Sequence, residues 1–265
     1  MLGTNVLRAH LLDKKLVTDQ FFRWRGGEVS RLEGLSDGVF GLTLTLLVIS
    51  QSVPTTFFEL WKVIRDLPVF LFCFGLLMTA WQYHYLFFRR YGLEDFSTSI
   101  LNAVFLFLIL LYAYPLKFLA TFLWMLALGD DTAILFELPE GVVWMQESSQ
   151  RAGMLYFFGA GVAGVFGVMG LMSFRAFQLR SKLELDSLEL FLTRAWMRRH
   201  GGTALVAGIS ICILLLGFKP GWAGVVFIFL LPAWSIDVVY TYIRVRVIHD
   251  GVTSREAVKE DAASN

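Results

Sequence analysis

Long apolar runs alternate with short charged stretches along this chain, and their lengths set the first expectation. With a window of about 20 residues, the length that crosses roughly 30 Å of hydrocarbon as a helix, six runs stand out. They fall at about 36–52, 67–88, 98–124, 152–173, 202–218 and 222–243. The pattern predicts an all-α, polytopic membrane protein with six transmembrane helices. An even number of spans puts both ends of the chain on one side of the bilayer.

Composition agrees with a lipid environment, since 56% of the residues are apolar and 15% aromatic, well above the usual content of a soluble domain. Lys and Arg then set the orientation. The N-terminal stretch, the 89–97 turn, the 174–201 segment and the C-terminal stretch hold 6, 2, 6 and 4 of them, against five at all other positions. The positive-inside rule makes both termini cytoplasmic in a multi-pass protein of the cell membrane. The expected organisation is a cytoplasmic N-terminal tail over 1–35, a six-helix membrane domain over 36–243 and a cytoplasmic C-terminal tail over 244–265. The first 30 residues lack the uninterrupted apolar core and cleavage site of a signal peptide. Net charge is +1, partitioned between ends and loops, so it says little about partners; the lipid bilayer is expected and nucleic acid is not. Cys73 and Cys212 lie inside apolar runs and read as small hydrophobes. Neither a disulfide framework, a metal site nor a cofactor is suggested.

Three segments outside the first helices carry further expectations. The external loop GDDTAILFELPEGVVWMQESSQ has five carboxylates and short apolar patches, which fits a solvated loop or a small amphipathic element on the outer face. The segment from Phe174 to His200 has apolar residues at helical spacing among charges, the pattern of an interfacial helix below the membrane, although its later part also reads as a plain linker. The fourth span carries small residues at 153, 160, 164, 167 and 170, a spacing that lets helices approach closely in lipid.

The stretch RLEGLSDGVFGLTLTLLVIS, from Arg31 to Ser50, is the most informative. Taking about 100° per residue and Leu42 as origin, Leu35, Gly38, Thr45, Leu46 and Ile49 fall within about 60° of it. Ser36 and Asp37 lie about 120° and 140° away. One side is therefore a seam of apolar, small and hydroxylated residues, and the other is polar near the cytoplasmic end. An aspartate inside a span is expensive unless paired. Trp81 and His84, three residues apart on the second span, share a face, and Asn102 enters the third span on the same side. An indole N–H, an imidazole or an amide would satisfy Asp37, with Arg31 close enough to balance its charge. Arg31, Ser36, Asp37, Trp81, His84 and Asn102 thus form an expected structural polar network that locks three helices together. Asp237, in the sixth span, is expected to find Tyr240 or Arg244.

The run RLEGLSDGVFGLTLTLLV, then WQYH, a downstream LN and YPLKFLATF, resembles the TMEM175 family of potassium channels. That family carries an arginine four residues before a Phe-Ser-Asp triplet on its first helix, Trp-x-x-His on the second, and Leu-Asn then proline on the third. Arg31, Ser36, Asp37, Trp81, His84, Leu101, Asn102 and Pro115 match these positions, while Leu35 replaces the phenylalanine. The resemblance covers about residues 28–125. It implies a bacterial homotetramer of six-span subunits in which the first helix lines a central pathway for monovalent cations, with potassium as the permeant ion. On that reading Leu42 and Ile49 form an apolar constriction and gate, Thr45 a selectivity layer, and Leu35, Gly38 and Leu46 line the pore. A carbonyl filter of the TVGYG kind is absent from the sequence.

Taken without the resemblance, the same seam also fits a helix-packing interface. Two other classes stay open beside a channel, a secondary transporter and a non-conducting membrane scaffold. Transporters usually show inverted repeats, and no second copy of the arginine and Ser-Asp element occurs. An enzyme is disfavoured, because the four histidines, at 10, 84, 200 and 249, accompany no HExxH or paired-carboxylate motif.

Overall fold

The structure is a computed structural model that describes residues 22–49, 54–127, 135–138, 141–144 and 148–264. Its helices are α1 (Arg31–Ile49), α2 (Phe57–Arg65), α3 (Leu67–Tyr91), α4 (Phe96–Ala127), α5 (Ser148–Gln178), α6 (Ser187–Leu215), α7 (Pro220–Val225) and α8 (Leu230–Ser264), with a 3-10 turn, Val226–Phe229, between the last two. The short strands β1 (Leu135–Leu138) and β2 (Gly141–Trp144) pair antiparallel, Leu135 opposite Trp144 and Leu138 opposite Gly141. The segment expected to be external thus contains a pair of antiparallel strands where the sequence suggested a loop or an amphipathic element.

Five stretches among the described residues are helical, long and apolar enough to cross a membrane: α1, α3, Phe96–Ala113 of α4, Ala152–Gln178 of α5, and Pro220–Ile248. The expected fifth span, 202–218, is the C-terminal part of α6, which stops at Leu215. Arg198, Arg199 and His200 precede its apolar run, so that run alone falls short of the length. The expected sixth span begins after Pro220 at a helix start and is interrupted by the 3-10 turn.

Helix ends explain why the boundaries differ from the expected ones. α1 starts at Arg31, inside the expected tail, because Ser30 and Glu33 form a reciprocal cap: Glu33 N–H donates to Ser30 Oγ at 3.1 Å and Ser30 N–H to Glu33 Oε1 at 3.2 Å. α3 ends at Gly92, whose φ of 56° is left-handed and whose N–H donates to Phe88 O at 2.8 Å. No separate interfacial helix spans 174–201. α5 continues to Gln178, a turn follows, and α6 starts under Asp186, whose carboxylate accepts from Glu189 N–H at 2.8 Å. The C-terminal tail is likewise helical, as α8 runs to Ser264.

Packing is tightest between α5 and α6, with α4 on α5 and α1 on α4 and α3. The small residues of α5 serve two neighbours. A side chain at Gly161 would meet the Tyr112 ring of α4 at 2.3 Å, while Gly159 lies 3.1 Å from Ile211 Cγ1 of α6, measured from the position a Cβ would take. The larger core gathers Phe22, Phe40, Phe87, Phe88, Tyr91, Phe105, Met169, Met172 and Trp196 at the end where α3 meets the 92–95 turn. A second cluster, Leu47, Val69, Cys73 and Ala120, holds the other end of α1.

Candidate functional site

α1 divides sharply between its two sides. Glu33, Ser36, Phe40, Thr43 and Leu47 are buried against α3 and α4. Arg31, Gly34, Leu35, Asp37, Gly38, Gly41, Leu42, Thr45, Val48 and Ile49 are exposed, with Leu35 at 62%, Leu42 at 51% and Ile49 at 68%. Leu46 is half-buried at the edge of this arc. The outward side therefore combines three glycines and a threonine with bulky apolar side chains. Glycine offers lipid little apolar area, so the mixture is better suited to a pathway or a close subunit contact than to lipid alone.

The two threonines are positioned oppositely. Thr43 is fully buried and donates its hydroxyl proton to Val39 O at 2.8 Å. Thr45 is exposed and donates to Gly41 O at 2.9 Å, so its proton is committed to the backbone and its oxygen lone pairs remain available outward.

Behind this face lies a chain of buried polar groups. Ser36 Oγ donates to Leu32 O at 2.8 Å and accepts from Asn102 Nδ2 at 3.0 Å. Asn102 Oδ1 lies 2.7 Å from His84 Nε2. Because the Ser36 proton is already used, the Asn102 amide nitrogen must face Ser36 and its carbonyl must face His84. His84 Nε2 is then the donor. Ser36, His84 and Asn102 are 0%, 3% and 0% exposed. Asp37 lies apart from them at the exposed edge, where Trp81 Nε1–H donates to Oδ1 at 2.8 Å.

The expected network is thus split, and Arg31 stands outside it. Arg31 is exposed and makes no ion pair with Asp37 among the described residues. The buried charge pair belongs instead to Glu33 and Arg89. Arg89 Nε donates to Glu33 Oε2 at 3.0 Å, its Nη2 donates to the same oxygen, and its Nη1 donates to Gly27 O at 2.8 Å. The sequence reasoning missed this pair, although Ser30-x-x-Glu33 before an apolar run is the signature of a capping box. Missed as well is a strap at residues 22–27. Arg25 N–H and Gly26 N–H both donate to Arg89 O at 3.0 Å, and the Arg25 guanidinium reaches Glu189 of α6. Gly26 is required there, since a Cβ would sit 2.6 Å from Phe88 O.

Asp237 takes partners other than those expected. Arg198 Nε donates to Oδ1 at 2.6 Å and Arg199 Nη2 to Oδ2 at 2.9 Å, which ties α8 to α6. At the turn before α4, Asp95 accepts from Thr98 Oγ1 at 2.6 Å and from Arg175 Nη2 of α5 at 3.0 Å. Burial works to raise the Asp95 carboxyl, but these hydrogen bonds outweigh it and hold it below the ordinary carboxylate range. Among the described residues no group of three or more His, Cys, Asp or Glu side chains is arranged to hold a metal ion.

A family model described as "Endosomal/lysosomal potassium channel TMEM175" matches residues 31–113. A protein of Marivirga tractuosa named "Potassium channel" is 33% identical over 237 residues, covering 89% of this chain and 92% of that protein. The chain belongs to the TMEM175 family. A crystal structure of a variant of the potassium channel MtTMEM175, bound to a nanobody-MBP fusion, superposes with a TM-score of 0.71 at 33% identity, covering 86% of this chain and 98% of the other. The segment matched by the TMEM175 model contains the outward face of α1, the Ser36–Asn102–His84 chain, the Trp81–Asp37 contact and the Glu33–Arg89 pair. Asp237 and Glu189 lie outside it, in the part of this TMEM175 chain that joins α6 to its neighbours.

Proposed function

We propose that the chain is a potassium-permeable cation channel of the cell membrane, assembled as a homotetramer with α1 lining a central pathway. The observation that carries this reading is the exposed arc of α1, where Gly38, Leu42, Thr45 and Ile49 face away from the subunit while Ser36 and Thr43 are sealed behind them. Four such arcs around an axis would bury the face that one subunit leaves open. Six spans, counting the 202–218 run of α6, would place both termini in the cytoplasm.

Leu42 and Ile49 would supply successive apolar rings, which offer a cation no oxygen and gate by excluding water. Crossing such a ring requires partial dehydration, which costs less for potassium than for the more tightly hydrated sodium. Thr45, one turn above Leu42, would offset part of that cost through its outward lone pairs. Leu35, Gly38 and Leu46 would complete the lining. In this scheme the Ser36–Asn102–His84 chain and the Glu33–Arg89 pair fix α1 against α3 and α4 and take no part in conduction.

The test is the reversal potential of the purified protein in a lipid bilayer with potassium on one side and sodium on the other. Displacement towards the potassium equilibrium potential supports the reading. A reversal near zero removes the selectivity, and no current in either direction favours a transporter or scaffold.

A further inference from the structure

A small cavity lies between α3, α4, α5 and α6, lined by His84, Phe105, Met169, Ser173, Trp196 and His200 among others. Its room for the centre of a water molecule is about 10 Å³. That is near the lower limit for holding one water, provided that polar partners are present.

Three polar side chains supply them. Asn102 fixes His84 as the donor at Nε2, so in the neutral ring Nδ1 is a pure acceptor, and no hydrogen bond to it is made by the described residues. His200 is fully buried, and neither of its ring nitrogens has a hydrogen-bond partner among the described residues. Its surroundings are the aromatic rings of Tyr83, Phe166 and Trp196, with centroids at 5.3, 6.1 and 5.7 Å. Ser173 Oγ donates to Met169 O at 2.9 Å, which leaves its oxygen able to accept. A buried imidazole left wholly unsatisfied is destabilising, so His200 at this position calls for a partner.

We propose that this cavity is a built hydration site in which one water molecule donates to His84 Nδ1 and bonds a ring nitrogen of His200. The water extends the chain Ser36–Asn102–His84 by one step and joins α1, through α4 and α3, to α6. A buffer molecule is too large for this volume, and among the described residues the two imidazoles have no third His, Cys, Asp or Glu beside them to complete a metal site. The inference concerns how α1 is held and does not depend on conduction.

The experiment is a map of the full-length protein in lipid at a resolution that places ordered waters. The expected result is a peak within about 2.7–3.2 Å of both His84 Nδ1 and a ring nitrogen of His200. A dry cavity overturns the proposal, and so does a peak that touches His84 but lies beyond reach of His200. His200→Phe keeps the ring and removes both nitrogens. Loss of the peak in that variant is expected, and its persistence overturns the bridge. If His200→Phe does not fold, the wild-type map decides alone.

Discussion

Replacing Asn102 by leucine tests the polar chain behind α1 at its central link. Leucine has nearly the shape of asparagine, so packing changes little, but two bonds vanish: the 2.7 Å contact to His84 Nε2 and the 3.0 Å donation to Ser36 Oγ. Ser36 keeps its bond to Leu32 O, so its loss is small. His84 is 3% exposed and its Nε2–H is left without an acceptor. An orphaned buried donor costs about 1–3 kcal/mol in soluble proteins, and an interhelical hydrogen bond in a membrane is worth about 0.6 and at most about 1.7 kcal/mol. Asn102→Leu is therefore expected to destabilise by about 2 kcal/mol, read by reversible unfolding in mixed micelles followed by circular dichroism. With His84→Phe already present there is no donor to orphan, and adding Asn102→Leu is expected to cost less than about 1 kcal/mol. Wild-type stability of Asn102→Leu, or the same cost in both backgrounds, would refute the chain as drawn.

Three further outcomes follow from neighbouring features. Glu33→Gln leaves the Arg89 guanidinium buried without its counter-ion and is expected to cost about 3–5 kcal/mol, whereas the double change Glu33→Leu with Arg89→Met costs less; the same unfolding assay decides. Gly161→Ala pushes a methyl into the Tyr112 ring and is expected to cost about 1–3 kcal/mol, while Gly153→Ala, inside the same helix with open space around it, is expected to hold or slightly raise the melting temperature. Burial alone would raise the Glu189 carboxyl, but donors from Arg25 and from the backbone of Arg23 and Asp186 outweigh it and hold the group below the ordinary carboxylate range. Its stabilisation is thus complete above the ordinary carboxylate value and lost as pH falls through the depressed native one. The difference in thermal unfolding between wild type and Glu189→Gln should close at strongly acidic pH, and a constant difference would count against the Arg25–Glu189 tie.

Hydropathy made the membrane class legible because lipid imposes one strong constraint on length and composition. The starts of α3, α4 and α5 fall within a few residues of the expected spans, and the starts of α1 and α6 lie further out. Those two are set by side chains, Ser30 with Glu33 and Asp186 with Glu189, outside the apolar runs. Ser36, His84 and Asn102 could be grouped in advance because polar groups at one depth in apolar helices need one another. Closeness in sequence places Arg31 near Asp37, but six residues put the two about 120° apart around α1. Glu33 instead meets Arg89, 56 positions away, a pairing that no local spacing encodes. Asp237 has the same lesson: Tyr240 and Arg244 are its neighbours along one helix, yet the packing of α8 on α6 supplies Arg198 and Arg199.

The most direct test of α1 as the pathway compares two threonines separated by about 160° around the same helix. Potassium-over-sodium selectivity would be measured from reversal potentials of Thr45→Ala and Thr43→Ala. Thr45 is outward with its lone pairs available, and Thr43 is sealed against the neighbouring helices. Reduced potassium preference in Thr45→Ala with an unchanged preference in Thr43→Ala is the expected result. Equal effects from both, or an effect confined to Thr43→Ala, would contradict the assignment of the exposed seam to the ion path.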